Sequence, residues 1–236
     1  MDRLTLYQGD CIGIMKKMPD KSVDLICTDI PYELDSHGGG RVALAERATR
    51  TLRDSIDFMA HGIDYDKCFS EFIRLCKVPN MLIFCSNAQI GKLLSFFGLR
   101  GLKTELLVWE KTNPPPLCNG KYLSDLEYIV YVHDKGSVFN NSTPFTYKKK
   151  CKRYPIIPEK GRLHPAQKPF ALIRELVEVH SSDGQTVLDP FMGSGTCGEV
   201  CMGMERNFIG IELDEEYFRT AEKRIKEAES SIFDLI

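Results

Sequence analysis

The chain has 236 residues, 43% hydrophobic and 27% charged, with a formal net charge of −2. That length and balance suit one domain, residues 1–236, with modest insertions and enough apolar side chains to bury a core. No apolar run approaches the length of a membrane span, and Met1-Asp2-Arg3-Leu4 does not open like a secretory signal, so a membrane-spanning or exported protein is not expected. The nine cysteines are odd in number and form no CxxC pair. They read as reduced thiols of a cytoplasmic protein, with no metal site, Cys197 and Cys201 being two small buried helix residues.

Taken in chain order, strand-like apolar runs fall at Leu4–Gln8, Val23–Thr28, Met81–Cys85, Leu102–Trp109, Tyr128–His133, Thr186–Asp189 and Phe208–Glu212. Helical patterns fall between them at Tyr65–Lys77, Ala88–Phe97, Pro169–His180, Gly195–Met204 and Asp214–Glu229. The last opens on Asp214 as a cap and carries its cations late, as the macrodipole prefers. Such alternation predicts an α/β fold, a doubly wound and mostly parallel sheet with helices on both faces. Residues 33–64 and 134–163 lack periodicity and read as irregular insertions, which in a compact domain are usually functional or disordered. The near-neutral total also hides a basic middle: residues 111–170 hold eleven Lys/Arg against four Asp/Glu, a local net of +7, so the remainder carries −9. Basic segments attract phosphate, although a charge run is more often a solvated face.

Two segments carry chemistry. Thr186 to Asp189 runs as a strand into Pro190-Phe191-Met192 and then Gly193, Gly195 and Gly198, spaced as G-x-G-x-x-G. Glycine lets a backbone turn tightly and approach a ligand with no Cβ in the way. Glu212 ends the next strand, where nucleotide folds keep an acid for ribose hydroxyls. The fingerprint alone also fits a ligand-free turn or a nicotinamide site, but a carboxylate at Asp189 suits a cofactor that has an ammonium group and no pyrophosphate. Near the other end, the strand from Val23 stops at Asp29-Ile30-Pro31-Tyr32. In a doubly wound sheet the ligand crevice lies beyond the carboxyl ends of the strands. There Asp29 and the Ile30 carbonyl would accept the two N–H bonds of an exocyclic base amine, turning its delocalised lone pair outward. Pro31 would stiffen the turn and Tyr32 would stack on a flipped base. By itself this segment equally fits a strand-end turn with a capping Asp and a packed Tyr.

Together these segments resemble the amino-methyltransferases of DNA. Asp29-Ile30-Pro31-Tyr32 is similar to their (D/N/S)-P-P-(Y/F/W) catalytic motif, with Ile30 in place of the first proline. Asp189 to Thr196 is similar to their cofactor motif, and His164-Pro165-Ala166-Gln167-Lys168-Pro169 to their H-P-x-x-K-P element. Gly9-Asp10-Cys11, Trp109-Glu110-Lys111 and Asn113-Pro114 match further segments. The catalytic motif precedes the cofactor motif, the order of the family's β group, and the resemblance runs from Leu4 to about Glu229. It implies a Rossmann-like fold that binds S-adenosylmethionine. Asp10 and Cys11 would hold the adenine of the cofactor. His164, Pro165 and Lys168 would border its methionine end, with Asp189, Pro190 and Phe191 at the ammonium. Gly193, Ser194, Gly195 and Thr196 would pass beneath the methionine, and Glu212 with Leu213 would take the ribose. The acid at position 29 favours adenine N6 over cytosine N4. Double-stranded DNA would meet Arg41 and Arg47 in the first insertion and Lys148, Lys149, Lys150, Lys152 and Arg153 in the second. A homodimer, a cognate restriction endonuclease and a bacterial or phage-encoded, nucleoid-associated setting also follow from the resemblance. Three other readings fit parts of the pattern: a methyltransferase of RNA or of protein glutamine, whose motif order usually differs; a DNA- and cofactor-binding relic, because of Ile30; and a nicotinamide oxidoreductase.

Overall fold

The structure, a computed structural model, describes residues 3–31, 64–116, 122–158, 160–164 and 166–233. Eight strands among them form one sheet: β1 (Leu4–Gln8), β2 (Leu25–Asp29), β3 (Asn80–Cys85), β4 (Lys103–Lys111), β5 (Leu126–His133), β6 (Cys151–Tyr154), β7 (Thr186–Asp189) and β8 (Asn207–Glu212). Their spatial order is β1-β8-β7-β2-β3-β5-β4-β6. β5 runs antiparallel to β3 and β4, and every other pairing is parallel.

Strand alternation sends side chains to two cores. Ile26, Met81, Ile83, Val130 and Val132 face one side. There they meet α1 (Cys11–Met15), α2 (Tyr65–Leu75) and α3 (Asn87–Gly98) through Met15, Phe69, Phe72, Leu93 and Phe97. Leu25, Cys27, Leu82, Phe84 and Val187 face the other. They pack on α4 (Phe170–His180), α5 (Thr196–Gly203) and α6 (Glu215–Phe233) through Leu172, Leu176, Val200 and Ile225. Full burial of one such side chain is worth about 1.5–3 kcal/mol, so a sheet covered on both faces needs the near-continuous apolar strands seen here. Capping fixes the helix starts: Asp64 accepts the Lys67 N–H at 3.1 Å, and Asp214 accepts those of Glu216 and Tyr217 at 2.9 and 3.0 Å.

Two elements depart from the sequence expectation. The five-residue α1 is too short to show a helical period. The stretch 134–163, expected to be irregular, contains a 3₁₀ turn, Phe145–Lys148, and the edge strand β6. β6 pairs with β4 from Val108↔Cys151 to Lys111↔Tyr154. Its charged residues disguise it, and charge is common on an edge strand because it discourages further pairing. The insertion expected at 33–64 lies, apart from Asp64, outside the described residues. Among the described residues no helix is long and apolar enough to cross a membrane.

The topology positions the site. From β2 the chain continues outward to β3 on one side, while β7 and β8 lie on the other. The crevice at such a switch point is where α/β sheets take ligands. Asp29, Asp189 and Glu212 are the last residues of β2, β7 and β8.

Candidate active site

A cavity of about 640 Å³ opens at these three strand ends. It unites segments that lie far apart in sequence: Asp10 and Cys11, Asp29 to Pro31, His164 and Lys168, Asp189 to Ser194 with Thr196, and Glu212 with Leu213. Gly195 does not line it. With φ of +80°, Gly195 caps α5, and a Cβ there would stand 2.9 Å from the Ala221 Cβ. Gly198 is tighter still, with a Cβ 2.4 Å from the Ile225 Cδ1. These two glycines hold the loop against α6, and Gly193 (φ +51°) faces the cavity.

The acids of the cavity are anchored from behind. Glu212 accepts the Gly193 N–H through Oε2 at 2.8 Å and the Asp214 N–H through Oε1 at 2.9 Å. Burial pushes its carboxyl above the usual range despite those bonds. Asp189 is 6% exposed, and burial raises its carboxyl to about 7 against the pull of the Thr28 hydroxyl at 2.7 Å and the Phe191 N–H at 3.2 Å. Asp10 caps α1, accepting the Gly13 N–H at 2.7 Å. His164 is pushed down to about 4 by burial and the nearby Lys168 ammonium, so it is a neutral ring. Its Nδ1 accepts the Ala166 N–H at 3.1 Å, and its ring meets that of Tyr217 in a T-shaped contact.

Around Asp29 the structure adds a buried ion-pair chain. Lys168 sits just before α4, 7% exposed, with Nζ 2.5 Å from Asp29 Oδ2 and 3.2 Å from Glu127 Oε2. Glu127 Oε1 in turn meets Lys111 Nζ at 3.0 Å. Burial alone would lower Lys168, but the two carboxylates outweigh it and hold the ammonium above its usual range. Burial opposes ionisation of Glu127 too, yet Lys168 and Lys111 keep its carboxyl below the usual range. The resemblance put Lys168 at the methionine end of a cofactor; it lines the cavity with its ammonium turned to Asp29. Next along the turn, the Ile30 N–H donates to the Phe84 carbonyl at 3.3 Å, extending the β2–β3 ladder by a bond that proline has no hydrogen to make.

The basic run lies outside the cavity wall. Lys152 is a correction: it is 4% exposed, with Nζ 2.5 Å from Glu175 Oε1, and so is a core ion pair and no phosphate contact. It points inward because β6 turns alternate residues to opposite faces. Lys148 donates to the Asn141 carbonyl at 2.7 Å, Lys150 pairs with Glu105 at 2.7 Å and Arg153 with Glu110 at 2.8 Å, all near the surface; Lys149 is exposed. Tyr32, Arg41, Arg47 and Pro165 lie outside the described residues.

The family profile described as DNA methylase, covering the N6 and N4 methyltransferases, matches residues 23–223. The chain belongs to this DNA methylase family. It is 27% identical to the type II methyltransferase M2.LlaDCHI of Lactococcus lactis subsp. cremoris over 93% of this chain and 88% of the relative. It is 28% identical to M2.DpnII of Streptococcus pneumoniae over 95% and 90%. Among solved structures it is similar to the M1.HpyAVI–SAM complex, with a TM-score of 0.68 and 30% identity over 94% of this chain and 99% of that one.

Several residues of this methylase site had no motif to announce them. Glu127 is one, though a lone carboxylate in the apolar strand Leu126–His133 is a usable signal, since a buried charge needs a partner. Lys111 lay inside a matched segment without an assigned role. Gln89 is another: fully buried in α3, it donates to the Pro31 carbonyl at 2.8 Å. A polar residue on the inner face of an amphipathic helix is its only trace in the sequence.

Proposed function

We propose that this DNA methylase transfers a methyl group to the N6 amine of adenine in double-stranded DNA, with Asp29 as the group that receives the amine. The observation that carries the reading is the carboxylate of Asp29, held by Lys168 at the end of β2 on the wall of the cavity. An acid at this position favours adenine over cytosine within the family resemblance.

The cavity fits S-adenosylmethionine. Its volume of about 640 Å³ suits a nucleoside-sized ligand, and it has a buried acid, Asp189, for an ammonium and a second, Glu212, for ribose hydroxyls. Gly193 offers open backbone between them, and Asp10, Cys11, His164 and Leu213 complete the wall. When bound, the cofactor supplies an electrophilic methyl group. The chain's residues do the rest. Asp29 and the Ile30 carbonyl accept the two amine hydrogens and so expose the nitrogen lone pair. Lys168 keeps the Asp29 carboxylate oriented, and the buried wall of Phe84 and Ile30 excludes water. Tyr32, next in sequence after Pro31, is our candidate for stacking on the base. Tritium transfer from labelled cofactor into unmethylated DNA, followed by nucleoside mass spectrometry, tests the reading. N6-methyladenine is expected; N4-methylcytosine would overturn the choice of base.

Cofactor affinity is expected to depend on Asp189. A cation binds the ionised carboxylate, so protons compete with it below about pH 7. Affinity should therefore fall as pH drops from 8 to 5.5, by up to about tenfold per unit. Asp189→Asn should bind weakly with a flat profile in titration calorimetry; an unchanged slope would move the ammonium contact elsewhere.

For DNA we infer a phosphate-contacting surface at Lys148, Lys149, Lys150 and Arg153, with Arg41 and Arg47 as a second source. Neutralising Lys148, Lys149 and Lys150 together should lower DNA affinity and flatten its salt dependence by about 0.9 per lost contact in log–log slope. Fluorescence anisotropy at several salt concentrations measures this, and an unaltered slope removes the run from the interface. The type II relatives favour a restriction–modification role, and the family resemblance adds a bacterial cytoplasm, a cognate endonuclease and a second copy of the chain as partners.

A further inference from the structure

We propose that Gln89 is a positioning residue for methyl transfer, holding the Asp29–Pro31 turn in a chain that lacks the first proline of the motif. This rests on the reading of that turn as catalytic. Gln89 is fully buried at the third position of α3. Three of the four hydrogen-bonding directions of its amide are used. Oε1 accepts the Ser86 N–H at 2.8 Å, which closes the helix start, while Nε2 donates to the Pro31 carbonyl and to the Tyr65 hydroxyl, each at 2.8 Å. The partners fix the orientation of the amide, because a donating backbone N–H faces its oxygen and an accepting carbonyl its nitrogen.

The geometry joins three elements at the turn. α3 reaches Pro31 through Gln89, α2 joins through Tyr65, and β3 holds Ile30 through the Phe84 carbonyl at 3.3 Å. The peptide between Ile30 and Pro31 is thus tied on both sides. Its carbonyl is the group that must point at the amine alongside Asp29. Proline at position 30 would limit the turn through its ring. Here the Ile30 N–H bond and the Gln89 amide supply that restriction from outside. A small rotation of the turn would misdirect one of two acceptors, and misplacement of about 1 Å costs on the order of a hundredfold in rate.

Gln89→Glu tests positioning at temperatures below its own melting transition. Glutamate at this helix position still accepts the Ser86 N–H, as in an ordinary capping box, but sets a carboxylate against the Pro31 carbonyl. The full chain, Asp29→Ala and Gln89→Glu are compared by single-turnover methyl transfer to unmethylated DNA, cofactor and DNA affinity, and thermal melting. The expected result is a rate roughly tenfold to a hundredfold lower for Gln89→Glu, read at a temperature where the variant is folded, with both affinities within twofold; its melting midpoint falls, because a carboxylate is buried against a carbonyl. A Gln89→Glu rate within twofold of the parent, beside an inactive Asp29→Ala, overturns the role of Gln89 and leaves the catalytic reading standing. A fully active Asp29→Ala overturns that reading and the inference with it. Loss of cofactor and DNA affinity in step with the rate makes Gln89 structural and also overturns the proposal.

Discussion

Lys168→Met is expected to cost the protein about 2–3 kcal/mol, because it leaves the half-buried Asp29 and Glu127 without the buried cation they share. Methionine matches the lysine stem in length, so the loss is one of charge rather than of packing. For a chain of this size that corresponds to a melting midpoint lower by roughly 4–12 °C. The effect should depend on pH with a definite sign. In the parent, Glu127 lies below its unfolded value, so its contribution is present above the usual carboxylate range and is lost as pH falls through the lower folded value. Lys168 lies above its unfolded value, so its contribution is present below the usual lysine range and is lost as pH rises through the higher folded value. The pair is therefore intact across neutral pH. In the variant, burial acts on Glu127 with Lys111 alone to oppose it, and protonation in mild acid relieves the cost. The stability gap between parent and variant should be widest near pH 7 and narrow toward pH 5. Melting curves across that range check it; coincident midpoints at pH 7 would mean that the pair contributes no net stability.

How much of this was legible in the sequence differs from element to element. Thr186–Asp189 reads as a strand and is one, because a short apolar run before a glycine turn has few other solutions. The strand before Ile30, expected at Val23–Thr28, is Leu25–Asp29, so the acid ends the ladder instead of following it. Asp29 and Asp189, each read as closing a strand at its carboxyl end, line one cavity, since β2 and β7 pair side by side. What stayed hidden depends on long-range pairing. Lys152 belongs to a charge run that reads as a solvated face, and only the approach of Glu175 from α4 turns it into a core residue. Lys168 and Glu127 lie 41 positions apart, and no local period links them. Gln89 looks like a helix-start residue, which it is; its second task, at Pro31, appears only once α3 packs beside β2.

These hidden contacts change what the departure at Ile30 means. The first proline of the motif rigidifies a turn from within, and here the turn is held from without, by β3, by Gln89 and by Lys168 on the preceding carboxylate. The relic reading, motivated by Ile30, loses its physical basis if that scaffold does the same job. An active enzyme then depends on the charge at position 29. Asp29→Asn keeps the side-chain shape but replaces one acceptor oxygen with an NH₂ group that faces donors, the amine of the base and the Lys168 ammonium. Its methyl-transfer rate should drop by about 10²- to 10⁴-fold, the range over which a positioned acceptor acts. Cofactor affinity should stay within a few-fold, since Asp189 and Glu212 are untouched. Single-turnover transfer and calorimetry on one preparation measure both. An Asp29→Asn rate within tenfold of the parent would shift the burden to the Ile30 carbonyl, and with it the whole account of why β2 ends in an acid.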